Sequence, residues 1–495
     1  MTAPFPAGAE NRDRADTTRM RAAVEALLGP LEEFTRFDGP DPTGRDRAAW
    51  TAALALPLPE EGIGLDGLLR ELSEIVIPNG IRVGHPGFSG WVNNAPTSAG
   101  TAAALAVTVA GPNRWWAQSF NRLETVALEW LRQLLGLPDA LQGVFTSGGS
   151  TANLVGLGAA RQHAFEAAGH DVARDGLPDG VTARIYASSE IHHVVLRAAA
   201  VLGLGRRGVV AIPVDANRRF DVAALDARLA VDRAEGVLPV AIAASAGTVN
   251  TGAVDPLADL VEVAHSHGTW LHVDGAYGMF GILDPRVAGL FAGIDRADSV
   301  VCDPHKWLAA PMGIGAAFVR DRALLGRAFT VEPAEYLEPD PAPGNLESPF
   351  DDFGDLYVDF GVEQSAPARG AQVWAILREI GAAGMRARVV RHNSYARHLA
   401  ALADADDHLE LLAEPVLSIC CFRYRREGDP EERTEAINFE VMRRLRAGGD
   451  FVPSTTRLDG RLAIRPCYIN PRTTLAEVDG LAARVRALGD EVAAG

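Results

Sequence analysis

The sequence predicts an α/β protein: a mostly parallel sheet flanked by helices, with an N-terminal helical arm and a smaller C-terminal α+β domain. Three observations predict it. Between Gly143 and Cys302, short apolar runs alternate with stretches of helical periodicity, as strand–helix–strand units require. The first hundred residues carry helical patterns and a Gly/Pro-punctuated turn region instead. Beyond Ile380, two strand-like stretches and a final helical pattern form a separate, shorter set. The expected units are residues 1–105 for the arm, 106–375 for the large domain and 376–495 for the small one.

Taken in order, Thr17–Leu31 and Leu65–Ile75 repeat apolar residues at helical spacing, and the turn region His85-Pro86-Gly87-Phe88-Ser89-Gly90-Trp91 follows. Arg122–Leu135 reads as an amphipathic helix. The expected strands are Gly143–Thr146, Ala183–Ala187, Gly208–Ile212, Val240–Ser245, Thr269–Val273 and Ser299–Cys302. Ala152–Ala168, Val194–Val201 and Leu257–His267 supply the helices between them. The Pro- and acid-rich stretch Glu338–Gly361 lacks periodicity and predicts a long mobile loop. Arg369–Ile380 resumes as a helix; Glu410–Arg425 and Leu462–Asn470 read as strand regions, and Leu475–Leu488 as a helix. There is no internal repeat.

Composition excludes several classes of function. With 47% hydrophobic and 22% charged residues over 495 positions, the chain has ordinary globular proportions. A net charge of −17 disfavours nucleic acid and anionic membranes as partners. The four cysteines lack metal-ligand spacing, so no metal site is expected, and a reducing compartment suits them. Met1–Arg21 has no apolar signal core, and no stretch approaches the ~18 apolar residues of a membrane span. A cytoplasmic location is the expectation.

Lys306 is the only lysine among 47 Lys and Arg residues. A chain that uses arginine wherever charge suffices has kept one amine, and an amine can lose its proton and condense with an aldehyde. It lies in Asp303-Pro304-His305-Lys306-Trp307, just past the apolar run Ser299–Cys302, at a strand end where open α/β sheets place their chemistry. Asp274 ends another apolar strand in His272-Val273-Asp274-Gly275-Ala276-Tyr277, where a carboxylate can pair with a pyridinium nitrogen or simply cap a helix. Thr146-Ser147-Gly148-Gly149-Ser150 joins a strand to a helix start, which is either a phosphate-binding turn or a plain one. His192 could stack on a ring, and Thr248, in Ala246–Gly252, could reach one or could serve its own turn.

Together these residues resemble the group II pyridoxal-phosphate-dependent amino-acid decarboxylases, and the aromatic-L-amino-acid decarboxylase branch most in pattern. The similarity runs from about His85 to the C-terminus, and Arg122-Leu123-Glu124 and Arg369…Trp374 also resemble positions flanking the site. The resemblance implies fold type I, the architecture of pyridoxal-phosphate-dependent transferases. It implies a Schiff base between Lys306 and pyridoxal 5′-phosphate, a ring-nitrogen partner in Asp274 and ring stacking by His192. Gly149 and Ser150 would hold the phosphate, and Thr248, Ala276 and His305 would also contact the cofactor. Tyr357, 17 residues before Trp374, resembles the tyrosine of the family's mobile loop, which reprotonates the substrate carbon from the neighbouring subunit of a homodimer. The same fold also supports aldehyde synthases, which are associated with phenylalanine at that place, as well as aminotransferases and carbon–carbon lyases. Burial beside a cationic cofactor is expected to lower the Lys306 pKa. Gly87 and Ser89 stand where bulkier residues are common in the family's aromatic pocket motif, which loosens the inference to an aromatic substrate.

Overall fold

The computed structural model describes residues 9–41, 47–111, 113–114, 119–330 and 357–495, with side chains from residue 19 onward. Twelve strands form two sheets: β1 (Phe88–Ser89), β2 (Gln142–Thr146), β3 (Ala183–Ser188), β4 (Val209–Ile212), β5 (Leu238–Ser245), β6 (Trp270–Asp274), β7 (Ser299–Cys302), β8 (Gly315–Val319), β9 (Leu409–Ala413), β10 (Cys421–Tyr424), β11 (Val452–Leu458) and β12 (Arg461–Arg465).

The large sheet has the order β2-β8-β7-β6-β5-β3-β4. Every neighbouring pair from β7 to β4 is parallel, while β8 pairs antiparallel with both β7 and β2. Only β8 is therefore reversed. Burial explains the composition: β6, β7 and β8 are buried at every residue, as strands covered on both faces must be. The small residues Ala241, Ala243 and Ala244 of β5 leave room for covering helices. The helix Gly149–Ala167 packs against β5, β6, β7 and β8. Its glycines set the spacing, since a Cβ on Gly156 would lie 2.7 Å from the His272 ring.

The second sheet, order β1-β11-β12-β10-β9, belongs to the C-terminal part except for one strand. β1 comes from the N-terminal arm and pairs parallel with β11, Phe88 against Val452. A Cβ on Gly87 would lie 1.9 Å from the Asp450 carbonyl oxygen, so close strand contact explains the missing bulk at that position. Gly87 is thus a packing requirement.

Most expected elements are present with ends shifted by a few residues. The helix expected over Arg369–Ile380 continues as Gly370–Asp404, kinked at Gly381, whose φ of 65° suits glycine. Glu410–Arg425 holds two antiparallel strands, β9 and β10. β1, β8 and β11 lie outside the strands expected from sequence. Of the expected loop Glu338–Gly361, the part up to residue 356 lies outside the described residues, and Tyr357–Phe360 forms a 3-10 turn. The helix Ser98–Ala110 runs through residue 105 and Gly370–Asp404 through residue 375, so both expected boundaries fall inside helices.

Candidate active site

The parallel strands end together, and the chemistry-bearing residues follow from their ends. β7 terminates at Cys302 and delivers Asp303, His305 and Lys306; β6 terminates at Asp274; β3 is followed by His192; β2 is followed by Gly148 and Gly149. Parallel register makes this convergence automatic, because Asp274 stands level with Val301 of β7 and Ser245 of β5.

Lys306 is tied on both sides. Its Nζ lies 2.9 Å from Asp303 Oδ2, and its carbonyl accepts a 2.6 Å hydrogen bond from Asn94 Nδ2, which also donates to the Ile469 carbonyl. Burial pulls the amine's pKa down, but Asp303, with help from Asp274, raises it above the ordinary lysine value. The expected lowering is thus reversed when the amine faces these carboxylates alone.

Asp274 is buried and uses Oδ1 to accept from the Ala276 N–H at 3.1 Å. Ala276 in turn receives the Asp303 N–H on its carbonyl at 3.2 Å, linking the two strand ends. The hydrogen bonds assign opposite tautomers to the two histidines. His192 Nδ1 accepts from the Val194 N–H at 3.4 Å, so its proton sits on Nε2. His305 Nδ1 donates to the Ile314 carbonyl at 2.6 Å, which leaves Nε2 with a lone pair. Burial holds both rings below the usual imidazole pKa, and the nearby Asp274 and Asp303 oppose it respectively.

The turn Gly148–Gly149 opens the helix Gly149–Ala167 with no side-chain cap, so its first N–H groups are available to an anion. Gly148 has φ of 128°, a conformation reserved for glycine. Ser150 is exposed on that first turn. The hydroxyl of Ser188, at the end of β3, is buried without a partner, as is Asp303 Oδ1. An uncapped helix start, an orphaned hydroxyl and a carboxylate at a strand end fit a phosphorylated pyridine aldehyde. Thr248 is buried, but its hydroxyl accepts from the Ala253 N–H at 3.1 Å and pairs with Thr251, so its first duty is to its own turn.

Tyr357 stands elsewhere. It is buried, its hydroxyl donates to Thr125 Oγ1 at 3.0 Å, and its carbonyl accepts from Arg114. It is part of a packed turn, with no place in the Lys306 cluster of the same chain.

Residues 53–425 match the Pyridoxal-dependent decarboxylase conserved domain. The chain belongs to that family. It is 32% identical over 439 residues to the aromatic-L-amino-acid decarboxylase of Bacillus atrophaeus, covering 88% of each chain. It is equally identical, over 422 residues, to the L-2,4-diaminobutyrate decarboxylase of Rhizobium meliloti (strain 1021), covering 84% of this chain and 81% of that one. Its fold matches the crystal structure of Oryza sativa TDC with PLP and tryptamine at a TM-score of 0.87, with 24% identity and 99% of both chains covered. This pyridoxal-dependent decarboxylase therefore has fold type I and acts on an amino acid with pyridoxal 5′-phosphate as cofactor.

Sequence alone missed the supports around this site. Asn94 reaches Lys306 across 212 positions, and Glu124 accepts from the Arg369 and Gly370 N–H groups at 3.1 and 2.8 Å, capping the helix Gly370–Asp404. Arg369 also donates to the Gly313 carbonyl, beside the Ile314 that holds His305. Only the motifs Arg122-Leu123-Glu124 and Arg369…Trp374 hinted at this.

Burial pushes the Glu124 carboxyl up to about 7, against the pull of Arg114, Arg369 and two N–H groups. A folded pKa above the unfolded one means the folded state binds the extra proton. The resulting stability is present below pH 4.5 and lost as pH rises to about 7. Glu124→Gln should abolish that slope, worth up to about 3 kcal/mol across the window. Thermal unfolding of both proteins from pH 4.5 to 7 would show it; parallel curves would refute it.

Proposed function

We propose that this enzyme converts an L-amino acid, with aromatic side chains the leading class, to its amine and CO2. The convergence of the sole lysine, Asp274 and an uncapped helix start carries the reading. Lys306 would hold the cofactor through Nζ, Asp274 would keep its ring nitrogen protonated, His192 would lie against the ring, and Gly149 and Ser150 would take the phosphate. Thr248, Ala276 and His305 would complete the contacts. When bound, pyridoxal phosphate supplies the electron sink that accepts the bonding pair as CO2 departs.

The chain's own residues manage protons. His305, whose Nε2 lone pair lies 3.8 Å from the Asp303 Oδ2 that holds Lys306, would relay a proton shed by the ammonium. His192 would be next in line after Tyr357 to deliver a proton to the substrate carbon. Assay against the proteinogenic amino acids and L-2,4-diaminobutyrate, measuring CO2 and amine together, tests the whole. Aromatic substrates should give the highest kcat/KM. CO2 without amine from every substrate would overturn the decarboxylase-to-amine reading.

The family resemblance supports Tyr357 as proton donor, reaching in from the neighbouring subunit, while within its own chain it packs beside Thr125. Tyr357→Phe should still release CO2 but make less amine, with aldehyde, ammonia and hydrogen peroxide in its place. Amine at the parental rate with no aldehyde would pass the role to His192 or His305.

A homodimer is part of the proposal. Thirteen of the 22 exposed large hydrophobic residues among the described residues fall between Met20 and Val109, so the arm carries the apolar surface a second copy could cover. Equilibrium sedimentation of the active enzyme should give twice the chain mass. The cytoplasm, where buried thiols stay reduced, is the proposed location; all four cysteines are free and buried.

A further inference from the structure

We propose that Asp303 is a positioning residue for Lys306: its buried carboxylate holds the lysine amine as an ammonium beside the start of the helix Gly149–Ala167 until a cofactor aldehyde claims it. The inference rests on the proposed role of Lys306 and deepens it.

Asp303 is 1% exposed, and the Lys306 ammonium lies 2.9 Å from Oδ2. Among the described residues, Oδ1 is buried without a partner. A half-satisfied buried carboxylate is costly, so a chain seeking stability alone would place another residue here. The surroundings instead make room for it. A Cβ on Gly149 would lie 2.6 Å from Oδ2, and one on Gly315 would lie 2.8 Å from Oδ1. The helix start gives up a side chain beside this carboxylate, and the strand gives one up beside it and the Gly148 backbone. The rigid anchors are the Ala276 carbonyl, which accepts the Asp303 N–H, and the Asp303 carbonyl, which accepts the Lys306 N–H at 2.9 Å.

The position has chemical meaning. An amine attacks an aldehyde through its lone pair, which an ammonium paired with a carboxylate lacks. Loading therefore requires Lys306 to shed a proton to solvent or His305. The Nζ–carbon bond then forms, and the aldehyde oxygen leaves as water. The same carboxylate stands against the helix start where a phosphate would settle, so a phosphate that arrives without displacing the ammonium meets both charges. Asp303 thereby keeps the amine protonated, and so unreactive towards stray aldehydes, until loading.

The groups facing Lys306 are Asp303 and His305 on its own loop, Asp274 at the end of β6, His192 after β3 and the Cys467 thiol. Asp303 outweighs Asp274 in raising the amine. Because Lys306 is the only lysine, selective 15N-lysine labelling of the full chain gives a single Nζ resonance. In protein free of cofactor, its titration midpoint should lie above the ordinary ~10.4 of lysine. Asp303→Asn should lower it by about one pH unit or more, and Asp274→Asn by less. A parental midpoint at or below the ordinary value, or a larger drop from Asp274→Asn than from Asp303→Asn, would overturn the proposal. If Asp303→Asn does not fold, the parental protein decides with Asp274→Asn: a midpoint still raised in that variant supports the assignment, and one at the ordinary value sinks it. Borohydride labelling of Lys306 in the loaded enzyme reports separately on the Schiff base, so the two claims fail independently.

Discussion

Lys306→Arg is expected to fold normally, to take up no cofactor covalently and to lose at least about 10^3-fold in decarboxylation rate. The guanidinium would keep the charge facing Asp303 and Asp274, so electrostatics at the strand ends would be nearly unchanged. What disappears is the amine that can be deprotonated. Because no second lysine exists, no neighbouring residue can take over the bond. Borohydride reduction followed by peptide mass mapping should modify one peptide of the parental enzyme and none of the variant. Residual turnover within tenfold of the parental enzyme would mean that Lys306 is not the attachment point.

Asp274→Asn should be almost as damaging, by about 10^3-fold, with the cofactor still attached. The change preserves shape, and an amide oxygen can still accept from the Ala276 N–H, so the strand end should survive. The lost feature is the negative charge opposite the ring nitrogen. The visible absorption band of the attached cofactor should persist while amine formation collapses. A variant with near-parental kcat would leave Asp274 with only its local hydrogen bond to explain. Loss of the band would make it a binding residue first.

How far the site could be read from sequence depended on what kind of fact each residue carries. Lys306 announced itself through scarcity, and Asp274 and His192 through adjacency to apolar strand runs; all three came out at strand ends. β8 escaped because Gly315–Val319 follows Pro311-Met312-Gly313, so a five-residue apolar run looked like the tail of a turn. Its direction is fixed by pairing with β2, some 170 residues earlier, which no local pattern encodes. Asp303 was visible within the Lys306 motif, yet its importance lies in a 2.9 Å contact and an unpartnered oxygen, both properties of packing. At Tyr357 the local structure, though not the residue's role, differs from expectation. A lack of periodicity suggested a loop tyrosine, whereas burial against Thr125 and Arg114 comes from a helix more than 220 positions away and its preceding turn. Thr248 could be a cofactor contact or a turn residue on sequence grounds; its hydroxyl serves its own turn through Ala253 and Thr251, and the cofactor contact is a proposal.

The pairing of β1 with β11 bears on how the chain is made. Phe88 and Ser89 leave the ribosome long before Val452 and Pro453, their partners in register. Nearby, Asn470 donates to the His85 carbonyl from 385 positions downstream. At synthesis rates of roughly 5–20 residues per second, this edge waits on the order of 20–70 s with its backbone groups unclaimed. During that interval the arm and the large sheet can form, but the support that steadies Asn94, and through it the Lys306 carbonyl, cannot. Nascent chains interrupted before residue 452 would therefore contain the lysine and most of its sheet yet lack the late clasp that fixes its backbone.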